Sequence, residues 1–201
     1  MSDPRTAVRE ESPSLYPILA VNFVGALGFG IVLPFLVFLV TRLGGNAIIY
    51  GVLGATYSAF QLAGAPLLGR WSDRVGRRKV LLVSQLGTLA SWGIFLAALA
   101  LPTFALAEVD SSVLGAFTLT LPLLVLFVAR ALDGATGGNV SVASAYLADI
   151  TSEDERSANF GRLAVSSNLG YILGPAIAGV LGALGDWVPV LAALVISAVG
   201  T

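Results

Sequence analysis

The sequence predicts an all-α membrane protein whose six transmembrane helices form a 3+3 inverted repeat, and three observations support this prediction. Hydrophobic residues make up 56% of the 201 residues, whereas charged residues make up only 11%. The apolar residues fall in blocks, and a block of about 20 residues crosses the hydrocarbon core of a bilayer as a helix. The cations cluster between the blocks, as they do at the ends of membrane spans.

The composition excludes several classes of function. The chain contains no cysteine and no histidine, which removes disulfide frameworks, thiol nucleophiles, imidazole bases and nearly every zinc or haem site. The net charge of -1 and the clustering of cations at span ends argue against nucleic acid as a partner. The carboxylates are isolated and form no catalytic constellation, so we expect no enzyme, no metal and no cofactor.

The elements follow one another along the chain. Residues 1–14 form a polar N-terminal tail that has no cleavage site, so it is not a removable signal peptide. The spans are predicted at residues 15–41, 48–69, 79–101, 119–148, 158–183 and 187–201. The last of these holds fifteen residues, which as a helix rise about 22 Å, less than the membrane thickness. We therefore expect the last helix to be truncated.

The distribution of cations predicts the orientation. With the N-terminus inside, nine Lys and Arg residues lie in the tail or the inner loops, and only Arg42 lies in an outer loop. Basic residues beside membrane spans stay on the cytoplasmic side. We therefore expect a multi-pass protein of the plasma or inner membrane whose N-terminus is cytoplasmic.

The segment between spans two and three is the most charged part of the chain. It packs five cations, one carboxylate and two glycines into eleven residues, which we expect to form a cytoplasmic turn. The residues of interest in it are Gly69, Asp73, Arg74, Gly76, Arg77 and Arg78.

Span four carries two charges near mid-membrane depth, Arg130 and Asp133. A charge that faces lipid is costly, so both side chains are expected to face the protein interior or a water-filled cavity. At a spacing of i, i+3 they share one helix face and can pair. Two interpretations stay open: the charges neutralise each other in the bundle, or they serve substrate binding or proton transfer.

Further polar residues lie within apolar runs and form a candidate cavity lining. Tyr57 and Gln61 lie one turn apart on span two, Asn22 lies in span one, Asn139 in span four and Asn168 in span five. Each residue alone is better explained by a hydrogen bond between helices than by a ligand. Together they indicate a polar cavity.

Small residues recur every four positions on span five, at Gly170, Gly174, Ala178 and Gly182. Such a ladder allows another helix to approach closely. Static packing is one interpretation, and a moving contact with a second half of the protein is the other. A faint internal repeat relates Gly64-Ala-Pro-Leu-Leu-Gly69 to Gly174-Pro-Ala-Ile-Ala-Gly179 and supports an inverted repeat.

Three spaced motifs carry a resemblance to a known family. Gly69-x-x-x-Asp73-Arg74-x-Gly76-Arg77-Arg78 resembles the signature between helices two and three of the major facilitator superfamily, and Arg130-x-x-Asp133-Gly134 resembles its helix-four motif. Gly161, Gly170, Gly174, Pro175, Ala178 and Gly179 match the helix-five pattern of proton-coupled exporters. The segment Ala145-Tyr-Leu-Ala-Asp149-Ile-Thr151 is similar to the tetracycline-resistance and multidrug antiporter branch.

The resemblance implies the N-terminal half of a twelve-helix fold, with a C-terminal six-helix half and the lipid bilayer as partners. It implies alternating access, in which protons drive the export of a small, lipophilic or drug-like compound. Asp73, Arg77 and Asp149 are then the charge latch of the inner gate. A departure from the tetracycline exporters is that Gly25 stands where they carry an acidic residue, while Asp133 replaces a small neutral one.

Two other functions remain open at this point. The first is that of a half-transporter with an assembly or regulatory role. The second is that of a facilitator of another small solute.

Overall fold

The computed structural model describes residues 15–137 and 139–199, and for residues 139–141 it describes the backbone alone. The predicted tail, residues 1–14, lies outside the described residues. The elements are α1 (Tyr16–Arg42), α2 (Ala47–Val75), α3 (Arg77–Leu99), β1 (Ala105–Ser111), β2 (Gly115–Thr120), α4 (Leu121–Thr136), α5 (Asn139–Ile150), α6 (Arg156–Gly182) and α7 (Val188–Val199).

The helices confirm the predicted fold class of the membrane part. Four of the described helices, α1, α2, α3 and α6, are long and apolar enough to cross a membrane. The helices α4 and α5 together run between the two ends of the bundle, and α7 is a shorter apolar helix. The predicted six crossings require α4 and α5 to form one crossing and the short α7 another, and this count stays a prediction.

Span four, predicted as one helix over residues 119–148, is interrupted. The helix α4 ends at Thr136, where the Gly137 N–H bonds to the Gly134 carbonyl, and α5 begins at Asn139. Glycine lowers helix stability by about 1 kcal/mol relative to alanine, and two successive glycines follow Thr136. The hydroxyl of Thr136 also bonds back to the Leu132 carbonyl, which favours a bend at this point.

The charged segment after span two is helical rather than a turn, which corrects the prediction. The helix α2 continues through it to Val75, because no proline or glycine occurs between Gly69 and Gly76. Gly76 alone makes the turn, with φ at +98°, and α3 begins at Arg77. The signature residues are therefore placed on two rigid helix ends.

An antiparallel β-hairpin, which the sequence analysis did not predict, connects α3 to α4. Thr118 N–H donates to the Gly44 carbonyl at 2.8 Å, and the Thr120 hydroxyl donates to the Leu43 carbonyl at 2.6 Å. The Asn46 amide donates to the carbonyls of Leu114 and Ala116 of the hairpin. We call β1, β2 and the α1–α2 loop, residues 43–46, the hairpin end of the bundle.

The helix packing follows an inverted repeat. The helix α1 packs chiefly against α6, α2 chiefly against α4, and α3 against both α4 and α7. In the repeat, α1, α2 and α3 correspond to α4, α6 and α7. The α2–α4 contact is then equivalent to the α6–α1 contact, and the α3–α4 contact is equivalent to the α7–α1 contact. Gly64 faces Ala135 of α4 as Gly174 faces Gly30 of α1, so the related segments have equivalent roles.

Candidate functional site

A cavity of about 230 Å³ opens between the seven helices, each of which contributes lining residues. Its polar lining residues are Asn22, Gln61, Gln85, Thr88, Asp133, Ser167 and Ser197, and its aromatic lining residues are Phe29, Tyr57, Trp92 and Tyr171. A polar cavity inside an apolar bundle is the arrangement expected of a transport site.

Arg130 and Asp133 form a buried ion pair beside this cavity. Their side chains are 4% and 6% exposed, and Nη2 of Arg130 lies 3.2 Å from Oδ2 of Asp133. Asp133 lines the cavity together with Thr88 of α3. The carboxylate therefore contacts a fixed cation on one side and the cavity on the other.

Aromatic rings surround the Arg130 guanidinium. Its central carbon lies 4.7 Å from the centroid of the Trp92 ring, 5.6 Å from that of Phe95 and 5.8 Å from that of Tyr57. Within the described part of the chain, its Nε and Nη2 have no hydrogen-bond partner. Cation–π attraction to these rings thus supplements the single carboxylate in stabilising the buried cation.

Asn22 and Gln61, two of the predicted cavity residues, line the cavity and also join helices. The Asn22 amide donates to the Leu163 carbonyl at 3.1 Å and to the hydroxyls of Ser166 and Ser167. The Gln61 amide donates to the Tyr57 hydroxyl and to the Gly137 carbonyl, each at 3.1 Å. Asn22 therefore links α1 to α6, and Gln61 links α2 to the end of α4.

Asn168, another of the predicted amides, does not line this cavity. It is exposed on the surface of this half, because α6 turns Leu163, Gly170 and Gly174 toward the bundle and Asn168 lies on another face. The side chain of Asn139 lies outside the described part of the structure.

The sequence analysis missed three cavity residues on α3: Gln85, Thr88 and Trp92. Their spacing of i, i+3 and i+7 puts them on one helix face. Two hydrogen-bonding side chains and a tryptophan on one face of an otherwise apolar span were the available signal. The serines on either side, Ser84 and Ser91, donate their hydroxyls to the Thr136 and Ala129 carbonyls and join α3 to α4.

The predicted charge latch is formed at the opposite end of the bundle from the hairpin. Nη1 of Arg77 lies 2.6 Å from Oδ1 of Asp73, and Nε lies 3.1 Å from Oδ2 of Asp149. Nη1 also donates to the Ser72 hydroxyl, which in turn donates to the Gly69 carbonyl. Arg77 thus joins the end of α2, the start of α3 and the end of α5, which we call the latch end.

The other four residues of the same motif contribute no side chain to this network. Arg74 and Arg78 are exposed, and among the described residues neither forms an ion pair. A methyl group at Gly69 would meet no atom within 4 Å. Gly69 therefore enters only through its carbonyl, and Gly76 only through the turn.

The small-residue ladder of α6 packs against α1. A methyl group at Gly170 would lie 2.7 Å from Cβ of Ala26, and one at Gly174 would lie 2.5 Å from the carbonyl carbon of Gly30. The predicted moving contact between this ladder and a second half is therefore wrong, because the contact lies within this half. Ala178 is also buried, whereas a methyl group at Gly161, Gly179 or Gly182 would meet open space. The helix α6 continues without a break through Pro175.

Within the described ranges, no group of three or more His, Cys, Asp and Glu side chains is arranged to hold a metal ion.

Comparison with known proteins establishes the family. The family model of the Major Facilitator Superfamily matches residues 18–201. The chain belongs to this superfamily. It is 36% identical to the class E tetracycline resistance protein of Escherichia coli over 182 residues, which is 89% of this chain and 40% of that protein.

Two other members of the superfamily extend the comparison. Multidrug resistance protein 2 of Bacillus subtilis is 29% identical over 183 residues, 89% of this chain and 40% of that protein. Solute carrier family 67 member A1 of Homo sapiens is 32% identical over 144 residues, 72% of this chain and 30% of that protein. These matches confirm the resemblance to the tetracycline and multidrug branch.

The chain spans about 40% of the length of the tetracycline resistance proteins it matches. It is a multi-pass membrane protein of a transporter superfamily.

Proposed function

We propose that the chain is the N-terminal half of a secondary transporter that exports a small, lipophilic or drug-like compound in exchange for protons. One observation carries this proposal: the buried carboxylate of Asp133 contacts Arg130 on one side and the cavity on the other. The names of the tetracycline and multidrug resistance relatives support export of a drug-like compound.

The geometry around Asp133 suits exchange of a proton for a substrate. A carboxylate at this depth is stable as an anion only while a cation or hydrogen-bond donors face it. Arg130 supplies that cation, and the surrounding rings hold Arg130 when the carboxylate is neutral. Asp133 can therefore alternate between a protonated state and an ionised state that faces the substrate.

The rest of the mechanism follows from alternating access. We place the latch end on the cytoplasmic side of the plasma or inner membrane, as the excess of basic residues there favours. The N-terminus is then cytoplasmic too. The latch joins α5 to α2 and α3 while the cytoplasmic side is closed, and a second six-helix half completes the substrate path.

Everted membrane vesicles from cells that express the protein test this proposal. Respiration generates a pH gradient, and addition of tetracycline or ethidium should dissipate part of it when the protein exchanges that compound for protons. The Asp133→Asn variant should lose this response and keep exchange of substrate between the two sides without a gradient. Asp110→Asn, a carboxylate of the exposed hairpin, is the matched control and should behave as the wild type.

Two outcomes would contradict the proposal. Substrate accumulation against a gradient by Asp133→Asn would show that the proton binds elsewhere. Substrate movement by the wild type that is independent of the pH gradient would favour a facilitator instead.

A further inference from the structure

Three primary amides line the cavity, and they differ in what they bind. Asn22 and Gln61 donate to groups on neighbouring helices, as described above. Gln85 of α3 is 4% exposed and lines the same cavity. No group within the described part of the chain hydrogen-bonds to the Gln85 amide.

Asn22 and Gln61 therefore have a structural role in joining helices, whereas Gln85 has no such role among the described residues. Binding of a ligand to Asn22 or Gln61 would compete with their contacts between helices. Gln85 lines the cavity, and within the described part of the chain no group occupies the donors or the acceptor of its amide. A buried amide is unfavourable unless its donors and acceptor are paired, so we expect those of Gln85 to pair with water or with a bound compound.

We infer that Gln85 binds an uncharged group of the transported compound that carries a donor next to an acceptor, such as a carboxamide. The side chain of Gln85 has the complementary pattern, an acceptor beside two donors. A compound that matches this pattern replaces the water on the amide, whereas one without the donor leaves the Gln85 carbonyl unpaired. Sites of this kind discriminate strongly against the analogue that lacks the hydrogen-bonding group.

The neighbours of Gln85 define the rest of the subsite. Thr88 lies one turn along α3 and lines the cavity together with Asp133. Trp92 lies one turn further on the same face, and its ring lines the cavity as well as contacting the Arg130 guanidinium. The subsite thus fits a planar ring that bears the carboxamide, with the charge of Asp133 kept for proton exchange. The inference rests on the proposed function, since it assigns part of the substrate site of the same transporter.

Binding of two matched probes to the full-length protein in lipid nanodiscs tests the inference. Nicotinamide and 3-acetylpyridine share a ring and a shape, both are uncharged at neutral pH, and a methyl group replaces the amide NH₂ in the second. Equilibrium dialysis should show that the wild type binds nicotinamide about tenfold more tightly, the value of one hydrogen bond to a buried partner. Gln85→Met, which keeps the length of the side chain, should bring this ratio close to one.

Two further variants keep the test decisive. Asn168→Leu removes an exposed amide outside the cavity and should retain the wild-type ratio. Gln85→Asn keeps the polarity of the site and withdraws the amide, so a lower ratio is expected even if Gln85→Met does not fold. An unchanged ratio in both Gln85 variants would overturn the inference, as would equal binding of the two probes or no saturable binding of nicotinamide by the wild type. The dialysis needs no proton gradient, so failure here is distinguishable from failure of the Asp133 test in vesicles.

Discussion

The two ends of this bundle are held together by different interactions. At the hairpin end, backbone and side-chain hydrogen bonds join β2 to the α1–α2 loop, and the main hydrophobic core extends beneath them. At the latch end the buried apolar cluster is small, consisting of Ile18, Ala143, Leu147 and Leu163. The latch itself is an ion-pair network whose carboxylates, Asp73 and Asp149, are 60% and 56% exposed.

This difference indicates which end can rearrange. Burial of one large apolar side chain is worth about 1.5–3 kcal/mol, whereas an exposed ion pair is worth about 0–1 kcal/mol. Separation of the latch therefore costs little free energy compared with separation of the hairpin end. We expect the hairpin end to move as one rigid body during transport and the latch end to change its contacts.

The largest effect on folding is expected from Gly174→Leu. This variant extends the comparison of the two ends to the α1–α6 interface. Gly174 touches the backbone of Gly30, so a larger side chain must push α1 and α6 apart. The variant should give little folded protein in the membrane. Gly179→Leu is the control, since nothing lies within 4 Å of a methyl group there, and it should fold normally. Size-exclusion chromatography of the solubilised variants measures the folded yield. A normal yield of Gly174→Leu together with a proton leak would instead favour a gating role for Gly174.

The next effect compares two glycines with the same backbone angle, one at each end. Gly44 and Gly76 both have φ at +98°, where a side chain adds strain of about 1–3 kcal/mol. A methyl group at Gly44 would also lie 2.5 Å from the Thr118 carbonyl oxygen, whereas one at Gly76 would meet no atom within 4 Å. Gly44→Ala should therefore lower the thermal unfolding temperature clearly more than Gly76→Ala. Equal losses would show that the hairpin contact adds no rigidity.

A smaller effect is expected at Asn46, which joins the hairpin to α2. Its amide donates to two hairpin carbonyls, and its carbonyl oxygen accepts the Ile49 N–H as the cap of α2. Asn46→Ala should destabilise the protein by about 2 kcal/mol, because it removes the cap and the hairpin bonds together. Asn46→Ser keeps a capping oxygen and should show roughly half of that loss in the same unfolding measurement. Identical losses in the two variants would mean that the hairpin bonds contribute no stability.

The smallest effect on stability is expected at the latch. A double-mutant cycle with Asp73→Asn and Arg77→Gln should give a coupling free energy of about 0–1 kcal/mol, because the pair is exposed. The same variants should change the accessibility of a cysteine introduced at the latch end, because under the proposed alternating access they shift the balance between inward- and outward-facing states. Strict additivity together with unchanged accessibility would remove Asp73 from the latch.

The charged parts of the site were predictable because charges in an apolar sequence are conspicuous. Arg130 and Asp133 stand three residues apart inside a span, and the spacing alone indicates that they can pair. The partners of the glycines were not predictable in this way. Gly174 packs on Gly30, a contact between distant parts of the chain that no local pattern encodes. A ladder of small residues indicates close packing without naming the helix that approaches.

Gln85 shows a second limit of sequence analysis. A single amide in an apolar span is equally compatible with a bond between helices and with a free group, and only the packing distinguishes Gln85 from Asn22. The hairpin was missed for a different reason. The strand β1 holds only one strong β-former, Val109, so it gives little local signal. The apolar end of β2 merges with the predicted start of span four.

We expect the proton exchanged at Asp133 to set the state of the latch end, since that end is the one expected to change its contacts, and one measurement tests this link most directly. The chain has no cysteine, so paired cysteines can carry spin labels in an otherwise unlabelled protein. One pair, Arg78→Cys with Glu153→Cys, reports on the latch end, and the other, Val113→Cys with Leu184→Cys, reports on the hairpin end; all four positions are exposed. Pulsed electron paramagnetic resonance should show a change of the latch-end distance between neutral and acidic pH that Asp133→Asn abolishes, and a constant hairpin-end distance. A latch-end distance that ignores both pH and Asp133→Asn, or a hairpin-end distance that changes as much, would contradict the account.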